Sequence, residues 1–264
     1  MTKRYVALGS SMAAGPGIRP RAAGAPWASG RSARNYPHLV AERLNLEPGP
    51  GFVDVTFSGA TTAHVRTDRQ RGVPPQISAL DGSEDLVTVT VGGNDVGYVP
   101  LLMAASLPGF LRRLPLLGAR IAELLDRDAR DRALGDVFGS LCAVGQAVRQ
   151  RAPGARVFFV DYLTLLPPAG VSAAPLSEAD AGLGRHVAAT LERLTADAAA
   201  ASGCEIVRAA AASREHHAWS AQPWTIGPAK YGVPLPGSPA PLHPNVAGMR
   251  AVAELVLDQL GQQS

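Results

Sequence analysis

The 264-residue chain is predicted to fold as an α/β protein on a parallel sheet, and three observations predict it. Short strand-like apolar runs alternate with longer stretches of helical spacing, the pattern of βαβ units. Apolar residues make up 46% and charged residues 18%, a balance that lets a chain of this length bury a core without staples. The Gly- and Pro-rich segments fall between these runs as surface loops do, and no linker or internal repeat divides the chain. One domain over residues 1–264 is therefore expected.

Taken in order, the first strand is expected at Tyr5–Leu8, followed by Gly9-Ser10-Ser11-Met12 and the loop Gly15–Gly30. Tyr36–Leu44 has helical spacing. A second strand, Phe52–Phe57, runs into Ser58-Gly59-Ala60-Thr61, and a third, Leu86–Val91, into Gly92-Gly93-Asn94-Asp95. The Leu-rich stretch Val99–Leu125, with Arg112, Arg113 and Arg120, reads as helix packed on the sheet; the functional alternative is an apolar flap beside a cleft. Ile121–Leu125, Leu141–Arg151 and Leu183–Ala201 are helical, while Val157–Tyr162 and Glu205–Val207 supply the fourth and fifth strands. After the Pro223–Pro241 loop comes the clearest helix. Val246, Met249, Val252, Ala253, Val256, Leu257 and Leu260 share one of its faces.

Several function classes are excluded at this level. The net charge is only +3, and the pI near 9.1 reflects Arg outnumbering Lys. No basic run with interleaved aromatics is present, so no nucleic-acid partner is expected. Cys142 and Cys204 have no CxxC neighbour and are expected to be buried thiols. The uncharged stretch Val96–Leu111 is broken by Pro100, Pro108 and Gly109 and is too short to span a bilayer. Tyr5–Leu8 is too short for the core of a secretion signal, so a cytoplasmic location is expected.

The carboxyl ends of neighbouring parallel strands meet where ligands bind in such folds. Three of the expected strands deliver a hydroxyl, a glycine N–H and an amide to that edge. Ester hydrolysis needs a nucleophile, a base and preorganised donors for an oxyanion. Ser11 lies where a tight turn can present Oγ. The N–H groups of Ser11 and Gly59, with the Asn94 side chain, are the expected oxyanion donors. Glycine suits position 59 because backbone must come close to substrate there, and Asn94 supplies neutral donors. Among six histidines, His38, His64 and His186 read as structural or solvated, and His216 and His217 as weak substrate-contact candidates. His243 is the expected base. Pro244 biases its backbone toward an extended form, and the apolar helix begins directly afterwards.

These blocks resemble those of the SGNH hydrolases, the GDSL-type esterases and lipases. Gly9-Ser10-Ser11-Met12, Gly59, Gly92-Gly93-Asn94-Asp95 and His243-Pro244 occur in that family's order, and Ser32-Ala33-Arg34-Asn35-Tyr36-Pro37 looks like its segment after the nucleophile loop. The resemblance spans nearly the whole chain. It implies a three-layer α/β/α sandwich with a five-stranded parallel sheet in flavodoxin-like order, a shallow cleft, and neither metal nor organic cofactor. It also implies a small-molecule ester substrate and the same four residues: Ser11, Gly59, Asn94 and His243.

Two positions depart from the family pattern. Ser10 stands where the family usually has Asp, so a local hydrogen-bond change is expected. Ala240 stands where it has the Asp three residues before the histidine, so a triad at the usual place is impossible. A backbone carbonyl before His243 could fix the imidazole tautomer, which makes a Ser–His dyad the expectation. Asp161 is the least unlikely substitute carboxylate. The expected activity is hydrolysis of short- to medium-chain carboxylic esters. Acyl transfer or thioester cleavage at the same site is the alternative among enzymes. A flavodoxin-like nucleotide-binding module is a further alternative, weakened because Ser10–Gly17 has no P-loop lysine and no G-x-G-x-x-G spacing. A pseudoenzyme that binds carbohydrate or acyl groups has only the missing Asp in its favour.

Overall fold

The structure, a computed structural model, describes residues 2–111, 117–228 and 240–262. Five strands, β1 (Tyr5–Gly9), β2 (Phe52–Asp54), β3 (Leu86–Thr90), β4 (Arg156–Val160) and β5 (Glu205–Val207), form one sheet in the order β2-β1-β3-β4-β5. Every pairing is parallel, with Tyr5 opposite Phe52 on one side and Leu86 on the other. This is the flavodoxin-like order, whose reversal of direction falls at β1.

The helices are α1 (Ser11–Ala14), α2 (Tyr36–Arg43), α3 (Thr62–Arg66), α4 (Tyr98–Ala105), α5 (Leu117–Leu124), α6 (Arg127–Arg151), α7 (Glu178–Ala201), α8 (Ala209–Ala212) and α9 (Val246–Gly261). Because side chains alternate along a strand, the sheet divides its core in two. Tyr5, Ala7, Leu86, Phe158 and Val160 pack with Tyr36, Val40, Met249, Val252 and Val256 of α2 and α9. Val6, Leu8, Val87, Val89, Val157 and Phe159 pack with Leu141, Val144, Val148, Val187 and Leu191 of α6 and α7. The result is a three-layer sandwich. Both faces are covered, which is why these strands read as apolar runs and not as alternations.

β1, β3, β4 and β5 fall within two residues of the stretches expected of them, whereas β2 and α6 depart further. β2 stops at Asp54, although Val55 N and Phe57 N still donate to Ala7 O and Gly9 O. The Asp54 carboxylate takes the Thr56 N–H and hydroxyl, and that local turn ends the regular strand. α6 starts fourteen residues before the expected Leu141, capped by the Asp126 side chain on Ala129 N. Its first half is rich in Arg and Asp, but Leu134 and Val137 still face inward and extend the buried stripe.

The Val99–Leu125 stretch holds α4 and α5, and Leu101 and Leu102 are fully buried, with α4 packed against α7. Arg112 and Arg113 lie outside the described residues, as do residues 229–239 of the Pro-rich loop. Cys142 and Cys204 are free, as expected, and partly buried. Among the described residues, no helix is long and apolar enough to cross a membrane, and no three His, Cys, Asp or Glu side chains are grouped to hold a metal.

Candidate active site

β1 ends at Gly9, whose φ of +150° and close packing exclude a side chain, since a Cβ there would lie 2.6 Å from Thr90 O. The buried Gln76 amide clasps this glycine, accepting from Gly9 N (2.7 Å) and donating to Gly9 O (3.0 Å). With Gly9 fixed, Ser10 N donates to Thr90 O and Ser11 opens the four-residue α1. Ser11 is 8% exposed, so little of it is open to solvent.

His243 comes to Ser11 from the far end of the chain. Its Nε2 lies 2.8 Å from Ser11 Oγ, and its Nδ1 lies 2.8 Å from Pro241 O. A carbonyl oxygen can only accept, so Nδ1 carries the proton and Nε2 is left to receive the Ser11 hydroxyl proton. The ring's position rests on two supports. Leu242, fully buried, adopts a left-handed φ of +58°, which places Pro241 O and the His243 ring on the same side. Residues 224–226 strap the loop: Ile226 N donates to His243 O, Leu242 N to Ile226 O, and Asn245 N to Trp224 O. Asn245 then caps α9 through Gly248 N. Burial pushes the His243 imidazole below the ordinary histidine value, only partly offset by its bond to Pro241.

β2 delivers Gly59 and β3 delivers Asn94 to the same edge, on either side of β1. The Ser11 and Gly59 N–H groups have no acceptor among the described residues. Asn94 Nδ2 spends one hydrogen on Ala60 O (2.8 Å), which orients the amide and leaves the second free. Gly59 has φ of +78°, and a Cβ there would meet only Gln70 Nε2 at an ordinary 3.7 Å, so backbone conformation by itself accounts for the glycine. Asp95 fastens this turn to β3, accepting from the Thr62 hydroxyl (2.6 Å) and backbone N–H.

Ser10, the position that departs from the family pattern, bonds Tyr162 OH at 3.0 Å, and that phenol accepts from Gly93 N at 3.1 Å. The expected local change is thus a neutral bridge from the first strand's turn to the third's. Burial pushes the Tyr162 phenol up to about 12, so it stays protonated.

Asp161 does not replace the missing carboxylate. Its Oδ1 accepts from Ala210 N (2.7 Å), its Oδ2 has no partner among the described residues, and His243 Nδ1 is taken by Pro241 O. Burial pushes it up to about 7. Starting from an unfolded value of about 3.9, this raised carboxyl favours folding most at low pH, and the contribution is lost as pH rises through 7. The wild type is therefore expected to lose on the order of 2–3 kcal/mol between about pH 5 and pH 8. Asp161→Asn, which cannot ionise, should flatten that decline while keeping most activity. Thermal unfolding across the interval tests this; parallel curves for the two proteins would refute it.

The other histidines are engaged elsewhere. His38 Nδ1 meets Asn35 Oδ1 (2.8 Å), His64 Nδ1 completes a capping box with Thr61, and His186 pairs with Asp131 (2.6 Å). His216 stacks on Trp224 at 4.1 Å and bonds Gln222 O, while His217 Nδ1 accepts from Trp219 N. Of the pair kept as substrate-contact candidates, His216 thus supports the strap at Trp224, while His217 is bonded within its own turn. Gln76, Tyr162 and Asn245 were missed by sequence reasoning. Only Asn245, an Asn directly before an apolar helix, carried a readable signal.

The sequence profile of the GDSL-like Lipase/Acylhydrolase family matches residues 7–251. The chain belongs to that family, one of carboxylic ester hydrolases. A relative named Lipase 2, from Streptomyces coelicolor, is 34% identical over 270 residues, covering 98% of this chain and 86% of the relative. A lipase of Streptomyces rimosus is 30% identical, covering 83% and 75%. Among solved structures, phospholipase A1 from Streptomyces albidoflavus NA297 superposes with a TM-score of 0.78 at 26% identity, covering 98% of this chain and 99% of that one. The extracellular lipase of Streptomyces rimosus gives 0.75 at 26% identity, covering 97% and 99%. The SGNH blocks of this family member therefore lie on the family's own scaffold.

Proposed function

We propose that this family member hydrolyses carboxylic esters of short to medium acyl length through an acyl-enzyme, using a Ser11–His243 dyad. The single observation that carries the reading is the 2.8 Å contact between His243 Nε2 and Ser11 Oγ, with Nδ1 anchored on a carbonyl. Ser11 Oγ attacks the ester carbonyl while its proton passes to Nε2. The oxyanion that forms is held by the N–H groups of Ser11 and Gly59 and the free amide hydrogen of Asn94. The imidazolium then protonates the departing alcohol, and the same ring activates water to release the acid. Pro241 O holds the tautomer, the orienting task that an aspartate performs in a triad.

The test is turnover of p-nitrophenyl esters from acetyl to long-chain acyl by wild type and Ser11→Ala. A wild-type optimum at short to medium acyl groups, absent in the variant, is expected. Equal slow hydrolysis by both would remove the nucleophile assignment. Acyl transfer is checked in the same assay, by measuring how product divides between water and an added alcohol.

A further inference from the structure

The loop joining α1 to α2 has a composition that ester chemistry does not require. Residues 1–41 contain Lys3, Arg4, Arg19, Arg21, Arg31 and Arg34 but no Asp or Glu. Arg4 is paired with Asp81 and Glu84, and Arg31 turns inward onto Thr56 O and Asp54. Arg19, Arg21 and Arg34 have no acidic partner among the described residues, and Arg19 and Arg34 are exposed. Between them stands Trp27, 78% exposed, with the Arg21 guanidinium stacked 4.0 Å from its ring centre. Pro20, Ala23, Gly24 and Pro26 are exposed alongside it.

The loop's place in the fold gives this pattern a direction. It starts from the helix that carries Ser11. Ser29 O accepts from both the N–H and the hydroxyl of Ser58, next to Gly59, and Pro16 O accepts from Ala240 N, three residues before His243. The loop therefore forms a rim of the cleft, tied to two of the segments that build the site.

We propose that this rim is a docking surface for an anionic phospholipid bilayer. Trp27 lies at headgroup depth, where an indole keeps its ring in an apolar layer and its N–H in a wet one. Arg19, Arg21 and Arg34 lie against the negative headgroups, and small or ring-closed neighbours let the loop approach closely. Binding in this orientation brings the cleft mouth to the lipid surface. The inference is independent of the Ser11 assignment, because it concerns binding and not turnover.

The test uses the full chain as Ser11→Ala, so that no lipid is consumed, in sedimentation with vesicles of phosphatidylcholine alone or mixed with phosphatidylglycerol. Binding to the mixed vesicles, reversed by high salt, is expected. Trp27→Ala should weaken it by about tenfold, and Arg19→Gln or Arg34→Gln by roughly fivefold each. In the Ser11 background, Trp27→Ala should leave hydrolysis of a soluble p-nitrophenyl ester unchanged, which also shows that the variant folds. Equal binding to both vesicle types, or no effect of Trp27→Ala on sedimentation, would overturn the proposal.

Discussion

His243→Ala is expected to lower kcat/KM on a p-nitrophenyl ester by on the order of 10⁴-fold or more while barely moving the melting temperature. No second base stands in reserve, since each of the other five histidines is held by a partner other than Ser11. The same ring sets the acid limit of activity. His243 works only when neutral, and burial holds it below the ordinary value of about 6.5, so activity should persist further into acid than a free imidazole allows. The sign separates a dyad from a triad. A carboxylate on Nδ1 would stabilise the imidazolium and push that limit upward, whereas the Pro241 carbonyl offers only a dipole. An acid limb of kcat/KM at or above about 6.5 would mean that a carboxylate reaches the ring during turnover. Asp161→Asn, run beside it, would show whether that carboxylate is Asp161.

The second large effect is at Asn94. Asn94→Ala should cut kcat by about 10²–10³ with little change in KM, because the lost hydrogen bond strengthens only as charge moves onto the carbonyl oxygen. It should also cost about 1–3 kcal/mol of stability by leaving Ala60 O without its amide donor. Asn94→Asp, near in size, should be at least as inactive, because a carboxylate would face the oxyanion with negative charge. A kcat preserved in Asn94→Ala would shift the whole burden onto the backbone N–H groups of Ser11 and Gly59.

The helices and strands were legible because their burial repeats along the chain. The α9 stripe of Met249, Val252, Ala253 and Val256 and the largely apolar, wholly buried β1 and β3 state which faces meet the core. The front half of α6 was not, since a helix with half its turns in solvent shows its period only through scattered Leu134 and Val137. Within the site, Ser11, Gly59, Asn94 and His243 could be chosen because each follows a strand or precedes a helix in a short polar block. Gln76 could not. Its partner is the backbone of Gly9, and backbone leaves no trace of its needs in a distant residue type. Tyr162 was likewise hidden, because its use depends on Ser10 and Gly93 arriving from two other strands.

By itself, then, the sequence determined the α/β class, the family and the identity of the groups placed at the sheet edge, all of which are written in local order and spacing. It also determined that no aspartate stands at position 240. Which atom meets His243 Nδ1 was decided only by tertiary structure. A left-handed turn at Leu242, held by its burial and by the strap at residues 224–226, aims a carbonyl at Nδ1. Every residue, proline included, has the same carbonyl to offer, so only the path of the folded chain can say which carbonyl is used.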